Sequence, residues 1–258
     1  MNGLKMRSHQ HRGSALSVPV RGRYLPGAIT SRLPQTTLRS STKTSSWLLR
    51  RNAESTTVSL VFIAISLAAL NVKQGEKVLH VGAGTGYYTA LLARLMGETG
   101  TVVAYEVEHD LAQNAIRNLS DLSNVTVQER SGSEAPLPAC DAIYVNAGAT
   151  APLDVWLDAL QLNGRLLFPL TPADGPGGMP GAGGMILVTR TGTDHFDARF
   201  VCAAMFVPCF GARDEETAQK LSAAFKRGDS NNVRTLRRNS KPDNSCWCAG
   251  NGWWLSTV

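Results

Sequence analysis

The chain has 258 residues, with 26 Lys or Arg against 20 Asp or Glu and a formal net charge of +6, enough for one domain with a large core or a domain plus a tail. The charge is lopsided: residues 1–53 hold ten basic residues and no acid, leaving 16 basic against 20 acidic beyond them, a balance of −4. A nucleic-acid reading would therefore rest on the tail alone, the five cysteines form neither a C-x-x-C pair nor a zinc spacing, and no apolar run reaches the ~18–20 residues that span a bilayer.

In chain order, residues 1–57 come first: rich in Ser, Thr and Arg, with scattered prolines and little apolar periodicity. This basic leader reads as a disordered extension, as an organelle transit peptide, which is Arg- and Ser-rich and acid-poor, or as a stretch translated out of frame. The apolar run 58–70, interrupted by Ser66, predicts a core helix that opens a domain over 58–258. The odd cysteine count favours reduced thiols and a cytoplasmic location, or an organelle if the leader is a transit peptide.

Lys73-Gln74-Gly75-Glu76 is a polar turn leading to a short buried strand, 77–81. Gly82, Ala83, Gly84, Thr85 and Gly86 then give G-x-G-x-G, and the alanine-rich run 87–96 predicts a helix. This strand–glycine loop–helix unit brings a backbone close to a nucleotide-like ligand. A dinucleotide fingerprint needs G-x-G-x-x-G, and Tyr87 stands where its third glycine would be. The β-branched run 101–105 predicts a second strand closed by Glu106, placed about 20 residues after the loop to accept ribose hydroxyls. A helix over 109–121, strands over 125–128 and 142–146, a helix over 152–160 and a strand over 164–170 continue the alternation. It implies a parallel sheet covered by helices on both faces. Residues 171–184, with three prolines and six glycines, read as a flexible loop. Strands over 185–190 and near 197–201, a helix over 214–227, and strands over 246–249 and 253–256 complete the chain.

The stretch 78–90, with Glu106, residues 141–149 and residues 163–170, resembles the protein-L-isoaspartate (D-aspartate) O-methyltransferase family. The resemblance covers roughly residues 68–258. It implies a Rossmann-like class I methyltransferase: an α/β fold with a mostly parallel seven-stranded sheet, helices on both faces and an antiparallel C-terminal strand. It implies S-adenosyl-L-methionine as cofactor and methyl ester formation on a protein or peptide carboxylate, with a small-molecule acceptor or a degenerate inactive homologue as alternatives. Neither a nucleic acid nor a membrane is expected as partner, and no metal ligands are assigned.

By the same resemblance the backbone around Gly82, Ala83 and Gly84 approaches the methionine part of the cofactor and Glu106 holds the ribose. Arg130-Ser131-Gly132 occupies the adenine turn, and Asn146, Ala147 and Gly148 line the cleft at the end of the fourth strand. Two departures stand out. Ser131 replaces the acid of the family's Gly-Asp-Gly turn. The Gln-Thr-Ile-Ser-type segment that precedes the first strand in isoaspartate enzymes is absent in frame; joining bases across the codons of 52–63 permits a string resembling that segment, which is the basis of the out-of-frame reading. Weak cofactor binding and little turnover would follow from it.

Transfer to a carboxylate needs no general base, and no acid–base constellation is legible, so no catalytic residue is assigned. His80, inside the first strand, reads as a packed core histidine. Trp247, Trp253 and Trp254 read as core of the closing strands, or as a substrate-pocket lining.

Overall fold

A computed structural model describes residues 53–172 and 181–258. Readings that fall on 1–52 and on 173–180, including most of the leader and of the glycine- and proline-rich loop, lie outside the described residues.

Helix α1 (Ala53–Leu70) precedes β1 (Lys77–Val81), α2 (Tyr87–Met96), β2 (Thr101–Glu106), α3 (His109–Asn118), β3 (Val125–Glu129) and β4 (Cys140–Val145). Then follow α4 (Asp154–Ala159), β5 (Leu160–Leu170), β6 (Gly183–Arg190) and β7 (His195–Ala204). Helix α5 (Glu215–Arg227), a single 3₁₀ turn, β8 (Thr235–Arg238), β9 (Cys246–Ala249) and β10 (Trp253–Ser256) end the chain. One sheet takes all the described strands, in the order β3-β2-β1-β4-β5-β6-β7-β8-β10-β9. The first five pair parallel. From β5 onward every pairing is antiparallel.

The alternation of apolar residues along the strands sorts two cores. Val78, Val102, Ala142, Tyr144 and Leu167 meet Leu70 of α1 and Leu92 and Met96 of α2. Leu79, Val81, Ile143, Val145, Leu166 and Phe168 meet Trp156 and Leu157 of α4 and Leu221 and Ala224 of α5. Helix α5 is closed at both ends by local chemistry. The Asp214 carboxylate accepts the Thr217 N–H at 2.7 Å, Glu215 and Glu216 occupy the first turn, and Lys226 and Arg227 the last, which suits the helix dipole. Among the described residues no helix is long and apolar enough to cross a membrane.

The α/β class and its parallel half follow the sequence expectation. The sheet has ten described strands rather than seven, and its antiparallel part is five strands wide rather than one. Strand β8, Thr-Leu-Arg-Arg, carries a single apolar residue and has no readable period. Strand β6 begins at Gly183, inside the expected loop, because only hydrogen fits there: a Cβ on Gly184 would lie 2.6 Å from the Phe200 ring, and one on Gly183 2.2 Å from the Leu170 carbonyl. The helix expected to reach residue 121 stops at Asn118, where Leu119 leaves the helical region to pack beneath Gly86. Residues 152 and 153 stay outside α4, and β5 starts four residues early through the irregular pairing of Cys140 with Leu160.

Candidate functional site

The site lies at the carboxyl ends of β1, β2 and β4, where the loops of an open parallel sheet converge. Leaving β1, the chain turns through Gly82 (φ 79°), Gly84 (φ 57°) and Gly86 (φ 97°), all in the left-handed region that favours glycine. The N–H groups of Gly82 and Ala83 both donate to the Tyr105 carbonyl, at 2.9 and 3.0 Å, and Gly86 N–H donates to the Ala83 carbonyl. These bonds clamp the loop to the end of β2. The Thr85 carbonyl accepts from the Asn118 side chain at 2.9 Å.

Glu106 ends β2 and is 6% exposed. Its Oε2 accepts the Gly84 N–H at 2.7 Å and its Oε1 accepts the Glu108 N–H at 3.0 Å. Loop and acid, 22 positions apart in sequence, are thus in direct contact. Each carboxylate oxygen keeps further acceptor capacity.

Asn146 continues β4, its N–H donating to the Val81 carbonyl at 2.8 Å. A Cβ on Gly82 would sit 3.5 Å from the Asn146 backbone, so the glycine loop and the end of β4 touch. The Asn146 Oδ1 is buried with no hydrogen-bond partner. Gly132 packs against Val81 and Tyr105, where a Cβ would come within 2.7 Å of Val81, and its carbonyl accepts the Trp156 indole N–H at 2.8 Å. Ser131 is buried. The nine residues expected at the site, Gly82, Ala83, Gly84, Thr85, Gly86, Glu106, Ser131, Gly132 and Asn146, therefore line one end of the sheet.

Sequence reasoning missed a segment that closes this end. Residues 205–213 cross the end of β4 as a strap. Gly148 N–H donates to the Val207 carbonyl at 2.7 Å, and Cys209 N–H donates to the Gly148 carbonyl at 2.8 Å. Burial pushes the Cys209 thiol up to about 12, with Arg213 favouring and Glu106 opposing its ionisation. Arg213 donates to the Thr171 hydroxyl at 2.7 Å and to the Pro172 carbonyl at 2.8 Å. No periodicity or motif distinguishes this segment in the sequence.

A buried polar cluster under α2 was also not foreseen as a group. His80 Nδ1 lies 2.8 Å from the Thr89 hydroxyl, and its ring stacks on Tyr144 with centroids 5.5 Å apart. His80 Nε2, the Tyr144 hydroxyl and the Ser66 hydroxyl are buried without partners. Burial drives the His80 pKa down to about 3, so the ring is neutral, as a packed core histidine should be. Trp247, Trp253 and Trp254 are core, away from the glycine loop. Two cavities, of about 370 and 550 Å³, open elsewhere: one by Glu76 and Arg165 at the amino ends of the strands, the other beside β7 and β8. Neither is lined by the glycine loop. Among the described residues no group of three or more His, Cys, Asp or Glu could hold a metal ion.

A family model described as protein-L-isoaspartate(D-aspartate) O-methyltransferase matches residues 40–213, starting upstream of residue 68 and ending at the last residue of the strap. The chain is 33% identical over 153 residues to the protein-L-isoaspartate O-methyltransferase of Brucella anthropi, covering 57% of this chain and 66% of that protein. It is 38% identical over 112 residues to protein-L-isoaspartate O-methyltransferase 1 of Archaeoglobus fulgidus, covering 42% and 52%. It thus spans between about half and two thirds of these relatives. A solved protein-L-isoaspartate O-methyltransferase superposes with a TM-score of 0.51 at 22% identity over 64% of this chain and 50% of that one, which establishes the class I methyltransferase fold.

Proposed function

Because the chain belongs to the protein-L-isoaspartate(D-aspartate) O-methyltransferase family, we propose that it transfers a methyl group from S-adenosyl-L-methionine to a carboxylate of a protein or peptide, forming a methyl ester. The observation that carries this reading is the 2.7 Å contact between the Glu106 carboxylate and the Gly84 N–H. It joins the glycine loop to a buried acid with acceptor capacity to spare.

The residues fit the cofactor. Gly84 has open space where a Cβ would stand, so a ligand can reach the backbone there. Glu106, fixed by two backbone N–H donors, is oriented before any ligand arrives and can accept the ribose hydroxyls without reorganising. Gly82, Ala83, Gly84, Thr85 and Gly86 would hold the methionine part, and the orphaned Asn146 Oδ1 suits an N–H donor such as its amino group. Ser131 and Gly132 would form the adenine turn.

When bound, the cofactor supplies a methyl group on a positively charged sulfur. The acceptor carboxylate is already an anion, so the chain needs no general base for this displacement. Its task is to exclude water and to hold the acceptor in line at about 3–3.5 Å. The end of β4 from Asn146 to Gly148, with the strap laid over it, is where the acceptor would enter. We read residues 58–258 as the methyltransferase domain, and the five free thiols suit a cytosol-like compartment.

The test is transfer of labelled methyl to an isoaspartyl peptide. Base-labile label on the peptide is the expected result. Base-stable label, or no transfer with cofactor bound, would overturn the carboxylate acceptor.

A further inference from the structure

The adenine turn is tied to the strap by a chain of hydroxyls. Ser133 Oγ donates to the Phe210 carbonyl at 2.9 Å. Ser131 Oγ and Ser133 Oγ lie 2.6 Å apart, and Ser131 Oγ accepts the Ser133 N–H at 3.2 Å. The proton order is fixed by the last acceptor. A carbonyl cannot donate, so Ser133 gives its hydroxyl proton to Phe210, and Ser131 must give its own to Ser133. Ser131 is left with a lone pair and no proton, able to accept from a ligand donor but not to donate.

The strap beyond Phe210 is built for this contact. Gly211 has φ 76°, and a Cβ there would lie 2.4 Å from Ser133 Oγ. At the next residue, the Ala212 carbonyl accepts the Thr150 N–H at 3.0 Å, while Val207 and Cys209 grip Gly148 on its N–H and its carbonyl. One continuous segment therefore links the turn at Ser131 to the cleft floor at Gly148.

We propose that Ser133 is a positioning residue: a donor accepted by Ser131, such as the exocyclic amine of adenine, tightens the Ser131–Ser133–Phe210 chain and so orders the strap and the acceptor-side floor at Gly148. Hydrogen bonds in series polarise one another, which gives the coupling its direction. This inference rests on the reading of Ser131 and Gly132 as the adenine turn. It makes cofactor occupancy a condition for a fully formed acceptor cleft.

The experiment is amide hydrogen exchange of the full chain with and without saturating S-adenosylhomocysteine, whose binding is first measured by calorimetry. In the unmodified chain the ligand should slow exchange of the Gly148 and Cys209 amides by roughly three- to tenfold, the worth of about one hydrogen bond. Ser133→Ala should lose that ligand-dependent increment, Ser133→Thr should keep it, and Gly211→Ala should lose it while retaining both hydroxyls. A merely structural Ser133 would change exchange equally with and without ligand. Absence of calorimetric binding to the unmodified chain would overturn the cofactor reading and this inference together. Binding without added protection, or equal increments in Ser133→Ala, would overturn the coupling alone.

Discussion

Replacing Glu106 is the most direct challenge to the site. Its two carboxylate oxygens accept from Gly84 N–H at 2.7 Å and Glu108 N–H at 3.0 Å, and the side chain is almost wholly enclosed. Glu106→Ala removes the proposed ribose acceptor and leaves both backbone donors without a partner. A hydrogen bond to a charged group contributes about 1.5–3 kcal/mol. Some of the freed donors' cost is recovered by water, so about 1–3 kcal/mol should appear in ligand binding, a five- to 150-fold rise in Kd. Glu106→Gln is the sharper variant. It preserves shape, yet whichever way the amide is turned its NH₂ faces a backbone N–H, so it should lose nearly as much as alanine. Calorimetric titration with S-adenosylhomocysteine checks both, with thermal melts to show that the variants are folded. A folded Glu106→Gln that binds within twofold of the unmodified chain would refute the assignment of Glu106 as ribose acceptor.

Three further outcomes follow from the same contacts. Gly84→Ala meets no atom within 4 Å, so it should cost only the ~1–2 kcal/mol of a left-handed alanine while its methyl abolishes cofactor binding; Gly86→Ala, 2.8 Å from Leu119, should lose more stability, and urea melts with titration separate the two. Arg165→Met strands the Glu76 carboxylate, which Arg165 pairs bidentately at 2.8 and 2.7 Å, at a cost of about 2–4 kcal/mol for this partly enclosed pair. Burial tends to raise the Glu76 pKa, but the bonds and charge of Arg165 and the Lys73 N–H leave it below its usual 4.5; the pair's contribution is full above pH 4.5 and lost as pH falls through the folded pKa, a loss that urea melts should find absent in Arg165→Met. His80, held near pKa 3 by burial, stays neutral in the fold while the unfolded chain takes up a proton below pH 6.5. Stability should therefore fall by at most about 1.4 kcal/mol per pH unit from 6.5 towards 3, and His80→Leu should flatten that slope in melts across pH 4–7; an unchanged slope would place the proton uptake elsewhere.

What could be read in advance, and what could not, divides along a physical line. Gly82, Gly84 and Gly86 are legible because a left-handed backbone admits few other residues, and Glu106 because an acid ending an apolar strand has little structural reason to be there. The parallel strands β1, β2, β4 and β5 are legible because they are buried on both faces and read as apolar runs. Strand β8 is not, since Thr-Leu-Arg-Arg spends its arginines on neighbours: Arg238 pairs with Asp154, Asp158 and Asp194, and Arg237 lies over the Trp254 ring. Those partners are distant in sequence, and no local pattern announces them. The glycines at 183 and 184 misled in the opposite sense, suggesting a loop where close approach to Phe200 demanded small residues inside a strand.

The strap illustrates the deeper limit. Apart from the Arg213 guanidinium, which also reaches the Gly148 carbonyl, its bonds to Gly148 and Ser133 use the strap's backbone carbonyls and the Cys209 N–H, groups that nearly every residue carries, so side-chain identity leaves little trace of them. The substitution of Ser131 for an acid pointed to a weakened adenine turn when only the missing charge was considered. With Ser133 in view it has a different physical meaning. A carboxylate at that turn would accept from the ligand as a full anion, with no proton to hand on to Ser133. In the proposed coupling, a serine whose proton is committed to Ser133 would accept as an acid does, with less electrostatic strength, and would pass the consequence on to Phe210 and the cleft floor. On that proposal the exchange of an acid for a hydroxyl would trade affinity for coupling, and the ligand-dependent protection of Gly148 is where the trade would be seen.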